Sequence, residues 1–172
     1  MGDFLSSVPF IAIAISLASL YFSRKSWLQS NRPIITAFVS DHAKGNISTA
    51  LNLVISNTGN RPATNVRLIA SENDILRLIK PTAQAKRKKM ILDCFQESAI
   101  IPILRNGEEL STCFGAITRN DTDENWMVNG AQIEIRVEYS DLDGRFYKSE
   151  MPLKIYSREG FAGGFWKEPS MG

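Results

Sequence analysis

The sequence predicts a mainly β protein in which a single N-terminal transmembrane helix precedes a two-sheet β-sandwich of about seven or eight strands. Residues 4–22 contain no charged side chain. The rest of the chain consists of short segments of alternating apolar and polar residues, separated by turn-forming residues, a pattern typical of half-buried strands. Many short strands of this kind favour a sandwich, and an eight-stranded barrel is the main alternative.

The apolar segment has the length expected of a membrane span. As a helix, residues 4–22 would extend about 28 Å, close to the thickness of the hydrocarbon layer. Arg24, Lys25 and Arg32 all follow it, which predicts an uncleaved single-pass anchor in the cell (inner) membrane with the C-terminal domain in the cytoplasm. A cleaved signal peptide would carry its basic residues before the apolar run, and a buried helix of a globular core is the other alternative.

Small residues along this helix suggest that it self-associates. Ala12, Ser16 and Ser19 fall on one helical face. Small side chains allow two helix backbones to approach closely, so we interpret these three residues as a candidate helix-packing site. The ordinary composition of a membrane helix is the alternative explanation.

Strands are predicted at residues 34–39, 49–57, 63–70, 90–95, 99–104, 110–117, 133–139 and 146–156. In the clearest of them Leu51 and Leu53 alternate with polar neighbours. In the strand at 133–139, Glu134, Arg136 and Glu138 occupy the predicted solvent face. A turn is predicted at 41–46, and a short helix at 71–79, because Ser71 stands at a position typical of an N-cap.

Residues 51–70, LNLVISNTGNRPATNVRLIA, resemble an element of known β-sandwich modules. Asn57 and Gly59 suit a tight turn between two strands, and Pro62 fixes the exit of that turn. The segment is similar to the strand–turn–strand element of immunoglobulin-like, CARDB-like modules in bacterial surface and single-pass membrane proteins. The resemblance implies an immunoglobulin-like sandwich that binds another protein, and it carries over no catalytic residue.

Composition argues against several functions. The 20 basic and 18 acidic residues give a formal net charge of +2, without the strongly basic character typical of nucleic-acid binding. His42 is the single histidine, so zinc sites and histidine-dependent nucleophilic sites of ordinary composition are not expected. Cys94 and Cys113 are expected to be reduced core residues. No cofactor and no enzymatic activity are predicted.

One acidic segment partly matches a calcium-binding loop. Asp121, Asp123 and Asn125 have the spacing of its first ligands. Trp126 stands where the loop needs glycine, and Gln132 stands where it needs glutamate. We therefore do not predict a metal site.

The strongest run of charge is Lys86, Arg87, Lys88 and Lys89. A solvated loop tip is the simplest interpretation. In a domain held at a membrane, four basic side chains would also contact anionic lipid headgroups. We therefore treat them as a candidate membrane-surface site.

Three regions follow from these features: a transmembrane anchor with a juxtamembrane turn at 1–30, a β-sandwich at 31–156 and a flexible tail at 157–172. The predicted function is that of a membrane-anchored, non-enzymatic protein-interaction module, an adaptor or accessory protein. The expected partners are the lipid bilayer and either another protein or a second copy of the chain. The alternatives are a membrane effector that acts by self-association of its helix and a domain that senses a ligand or lipid.

Overall fold

The computed structural model describes residues 3–44, 48–118 and 126–156, with the side chains of 3–8, 43, 44 and 118 excepted. The elements in chain order are α1 (Asp3–Ser30), β1 (Ile35–Lys44), β2 (Ser48–Asn57), β3 (Ala63–Ile69), α2 (Glu72–Arg77), α3 (Ala85–Asp93), β4 (Ile101–Leu104), β5 (Glu109–Thr118), β6 (Gln132–Ser140) and β7 (Phe146–Lys154).

The described strands form two antiparallel sheets. One has the order β1-β2-β5 and the other the order β4-β3-β6-β7. The prediction of a mainly β fold with two sheets is confirmed, and the strands of the described residues do not join into one closed barrel. Sequence neighbours β2 and β3 lie in different sheets, as do β4 and β5, so the chain crosses between the layers at both turns.

The core lies between the two sheets and follows the predicted alternation. On β2 the side chains of Leu51 and Leu53 are buried, and on β6 those of Ile133, Ile135 and Val137 are buried. Burying a large aliphatic side chain stabilises the fold by about 1.5–3 kcal/mol. These inward-facing rows therefore fix which face of each sheet points to the core.

The predicted transmembrane helix is wrong. The chain does form one helix, α1, over the predicted segment and on to Ser30. Within the residues that the structure describes, however, no helix combines the length and the apolarity that crossing a membrane requires.

Two local predictions are also wrong. Residues 90–95 do not form a strand, because Met90 to Asp93 complete α3. A short apolar run fits either structure, and the helix-favouring residues before it decide the outcome. The predicted turn at 41–46 is instead strand as far as Lys44, with a bulge between Asp41 and Ala43.

The predicted short helix is confirmed as α2. The Ser71 hydroxyl accepts a hydrogen bond from the main-chain NH of Asp74 at 3.2 Å, which satisfies one of the free NH groups of the first turn. Ile75 of α2 and Ile91 of α3 are buried against the sandwich. The two helices therefore form part of the core.

The two cysteines are unpaired thiols. Cys94 is half-buried just after α3, whereas Cys113 is exposed on β5. The expectation that both are core residues is therefore wrong for Cys113. Burial, with smaller effects from Asp93 and Cys113, raises the pKa of the Cys94 thiol, so this sulfur stays protonated and weakly nucleophilic at neutral pH.

Candidate functional site

The sandwich is closed along one side and open along the other. On the closed side, β1 and β7 approach each other, and the main-chain NH of Ala37 donates to the Met151 sulfur at 3.2 Å. On the opposite side, β5 is the edge of one sheet and β4 the edge of the other. The candidate site is the groove between these two edges.

The groove has a volume of about 350 Å³ and a largely apolar lining. Its floor includes Leu53 from β2 together with Val66 and Leu68 from β3. Ile101 of β4 forms one wall and Leu110 of β5 forms the other. The chain passes from one sheet to the other after β2 and again after β4, so the lining comes from four different strands. No single stretch of sequence therefore contains the groove.

Large apolar side chains also line the rim of the open side. Ile100, just before β4, and Leu110 of β5 both line the groove and are exposed. Scattered single apolar residues are normal on a protein surface, but two on opposite walls of one apolar groove are typical of a binding surface. No sequence motif marks these two residues, so sequence reasoning missed them.

The charged side chain that borders the groove is paired within the protein. Arg67 also borders the groove, and its Nε and Nη2 donate to Glu138 Oε2 at 3.1 and 2.8 Å. Arg136 Nε lies 3.1 Å from the other oxygen of Glu138. These ion pairs explain why Glu138 is buried, although the alternating pattern predicted it on a solvent face.

The side chain of Asn57 joins the two sheets at the end of the open side where β4 ends. Its carboxamide oxygen accepts from the main-chain NH groups of Ile34 at 3.3 Å and Gly59 at 3.0 Å. Its amide group donates to the main-chain oxygens of Arg61 at 2.8 Å and Leu104 at 3.1 Å. One buried side chain thus joins the start of β1, the β2–β3 turn and the end of β4.

Gly59 is required by a close approach of two backbone segments. A Cβ atom at this position would lie 2.4 Å from both the carbonyl oxygen of Arg32 and the amide nitrogen of Ile34. Pro62 lies one residue before β3 begins. The predicted turn residues Asn57, Gly59 and Pro62 are therefore found together in one turn, where Asn57 and Gly59 have structural roles.

An ion pair with two hydrogen bonds links the β2–β3 turn to the β6–β7 hairpin. Arg61 donates to Asp143 through two nitrogens, with the shorter bond at 2.7 Å. The buried Asp141 carboxylate accepts from the NH groups of Asp143 and Arg145 and from the Tyr147 hydroxyl. The hydrogen bond from Arg61, supported by the charges of Arg61 and Arg145, lowers the pKa of Asp143 below 3.8.

The lowered pKa predicts a specific effect of Arg61→Met. A carboxyl with a depressed folded pKa stabilises the fold above its unfolded value, and this contribution is lost as pH falls through the folded pKa. Arg61→Met should raise the pKa of Asp143 towards 3.8 and make unfolding less dependent on pH in the acid range. A carboxyl NMR titration measures this shift. Arg77→Met, which removes the pairing partner of Asp74, should leave the pKa of Asp143 unchanged.

The basic run lies in the first turns of α3 rather than at a loop tip. Lys88 donates from Nζ to the main-chain oxygen of Pro81 at 2.9 Å, and the Arg87 guanidinium lies 5.1 Å from the centre of the Trp126 ring. Lys86 and Lys89 are exposed. Two of the four basic side chains thus have contacts within the protein, and contact of this run with lipid headgroups stays a prediction.

The remaining predicted residues lie away from the groove. Ala12, Ser16 and Ser19 are exposed along α1, and Ser16 Oγ donates to the Ala12 carbonyl at 2.8 Å. His42 is exposed on β1. The partial calcium-loop match at 121–125 and the tail at 157–172 lie outside the described residues.

A family model described as a domain of unknown function (DUF8453) matches residues 4–158. The chain belongs to this family. The match begins in the first turn of α1 and ends just beyond β7, so the family unit contains the helix together with both sheets. A comparison with curated proteins gave no match.

Proposed function

We propose that this member of the family is a non-enzymatic protein-interaction module that binds an extended, apolar segment of another protein along its open side. The observation that carries the proposal is the apolar groove of about 350 Å³ between the edges of two sheets. Apolar burial supplies the affinity of such a site, and the neighbouring strand edge supplies its orientation.

The edge of β5 is the better docking edge. An extended peptide that joins a sheet needs a row of main-chain donors and acceptors. β5 has 10 residues, whereas β4 has 4 and contains Pro102, which has no NH to donate. A strand added beside the beginning of β5 would direct alternate side chains towards the groove.

The chemistry of the lining supports binding rather than catalysis. Arg67 and Cys94 are the ionisable side chains among the groove residues. Arg67 is paired with Glu138, and the raised pKa of Cys94 keeps its thiol protonated. General acid–base chemistry needs a proton donor or acceptor positioned at the site, and the lining offers an ion-paired cation and a neutral thiol.

Peptide selection tests this proposal. Random dodecapeptides displayed on phage would be selected on the full chain, and the affinity of the selected peptides would be measured by fluorescence. We expect alternating apolar peptides that lose about tenfold or more in affinity for Leu110→Glu, because a charge is placed at the groove. Leu142→Glu is the control, since Leu142 is also exposed but lies on the β6–β7 turn.

Two outcomes would contradict the proposal. Selected peptides that bind Leu110→Glu as tightly as the unchanged chain would place their site elsewhere. A selection that yields no specific peptide would show that the open side does not recognise extended segments.

A further inference from the structure

The exposed surface of α1 presents an unusual amount of apolar area. Between Phe10 and Phe22, eight large apolar side chains are 55–74% exposed. At about 180 Å² for a fully exposed side chain, these residues expose roughly 900 Å². A soluble monomer rarely exposes contiguous apolar patches beyond a few hundred Å², so this helix has the surface of an interface.

One stripe along α1 has the spacing of a coiled-coil seam. Phe10, Ile13, Leu17 and Leu20 follow one another at intervals of three, four and three residues. These intervals keep all four side chains on one face of the helix and match the a and d positions of a heptad. Their exposed fractions are 74%, 58%, 62% and 67%. Arg24 occupies the next position and ends the apolar seam.

We propose that α1 pairs with α1 of a second copy of this chain through the Phe10–Ile13–Leu17–Leu20 seam. A seam with this spacing is complementary to an identical seam, because each knob then meets a hole formed by the same residue types. The seam exposes about 450 Å² per chain, so a pair would bury at most about 900 Å², which is below the roughly 1,000 Å² of a stable specific interface. The dimer is therefore weak and depends on concentration.

This seam differs from the small-residue face formed by Ala12, Ser16 and Ser19. Ser16 Oγ is bonded to the Ala12 carbonyl of its own helix. Packing on that face would leave the seam exposed, whereas packing through the seam buries the larger side chains. Pairing through α1 does not depend on peptide binding at the groove.

Sedimentation of the full chain over a hundredfold range of concentration tests the proposal. We expect a reversible monomer–dimer equilibrium. Leu17→Ser combined with Leu20→Ser should raise the dimer Kd by about tenfold or more, because apolar area is lost from the seam. Ile15→Ser combined with Phe22→Ser is the matched control, since these residues are similarly exposed at 62% and 65% but lie on another face. This control should change the Kd by less than about threefold.

Three outcomes would overturn the inference. The unchanged chain could remain monomeric throughout the concentration range. The two double variants could weaken association equally, which would indicate unspecific apolar association. Ser16→Leu could dissociate the dimer while the seam variant does not, which would assign the interface to the small-residue face.

Discussion

We expect Gly59→Ala to lower the free energy of unfolding by about 3 kcal/mol or more, or to prevent folding altogether. The added Cβ would lie 2.4 Å from the Arg32 oxygen and the Ile34 nitrogen, both main-chain atoms. A flexible side chain can move aside, but here the two backbone segments must separate. Their separation would also weaken the bonds from Thr58 NH to the Ile34 oxygen and from Asn60 NH to the Arg32 oxygen.

Gly107→Ala is the matched control for this experiment. Gly107 has a φ of +73° and nothing within 4 Å of an added Cβ, so alanine there meets backbone strain without a steric clash. That strain costs about 1–2 kcal/mol. Denaturant unfolding of both variants compares the two penalties. A loss at Gly59 no larger than that at Gly107 would show that the two backbone segments separate easily.

Asn57→Ala should destabilise the protein by about 3 kcal/mol, because buried main-chain groups lose their partners. The four bonds of the Asn57 side chain satisfy the NH groups of Ile34 and Gly59 and the oxygens of Arg61 and Leu104. Asn57→Asp keeps an acceptor for the first two groups but replaces the donor by oxygen. We therefore expect this nearly isosteric variant to be destabilised as well.

Asn60→Ala is the control for the carboxamide. Asn60 lies in the same turn, and its single side-chain bond, to the Ser30 oxygen at 3.0 Å, is exposed. Its loss should cost about 0.5 kcal/mol. Denaturant unfolding of the three variants tests whether the buried carboxamide of Asn57 stabilises the fold by joining these backbone segments. Equal stabilities of Asn57→Ala and Asn60→Ala would contradict this role.

Local sequence signals predicted much of the sandwich. The alternation of Leu51 and Leu53 and that of Ile133, Ile135 and Val137 identified strands, because residues two apart share a face. The importance of the turn could also be read locally, since Asn57 and Gly59 are residues that tight turns favour. Their actual partners could not be predicted, because Leu104 lies 47 residues from Asn57.

The wrong predictions fall in two groups. In one, the spacing of apolar residues fits both a helix and a strand, and in the other, residues distant in sequence decide the structure. Met90 to Asp93 form the end of α3, although their short apolar run also suits a strand. Glu138 is buried by Arg67, which lies 71 residues away. The groove could not be predicted for the same reason, because Leu53, Val66 and Leu110 come together only when the two sheets pack.

The prediction at the N-terminal segment was right about the helix and wrong about the membrane span. An uncharged segment predicts a helix, and α1 is one. Whether a helix spans a bilayer depends on its length and its apolarity together, and no helix among the described residues combines the two. The exposed apolar surface of α1 is nevertheless larger than a monomer usually presents, which motivates the pairing proposed above.

Amide hydrogen exchange of the full chain with a selected peptide tests the central claim most directly. We expect slower exchange at the beginning of β5, around Glu109 to Cys113, because these main-chain groups would bond to the added strand. Protection confined to the closed side, at β1 or β7, would contradict a binding site along the open edge.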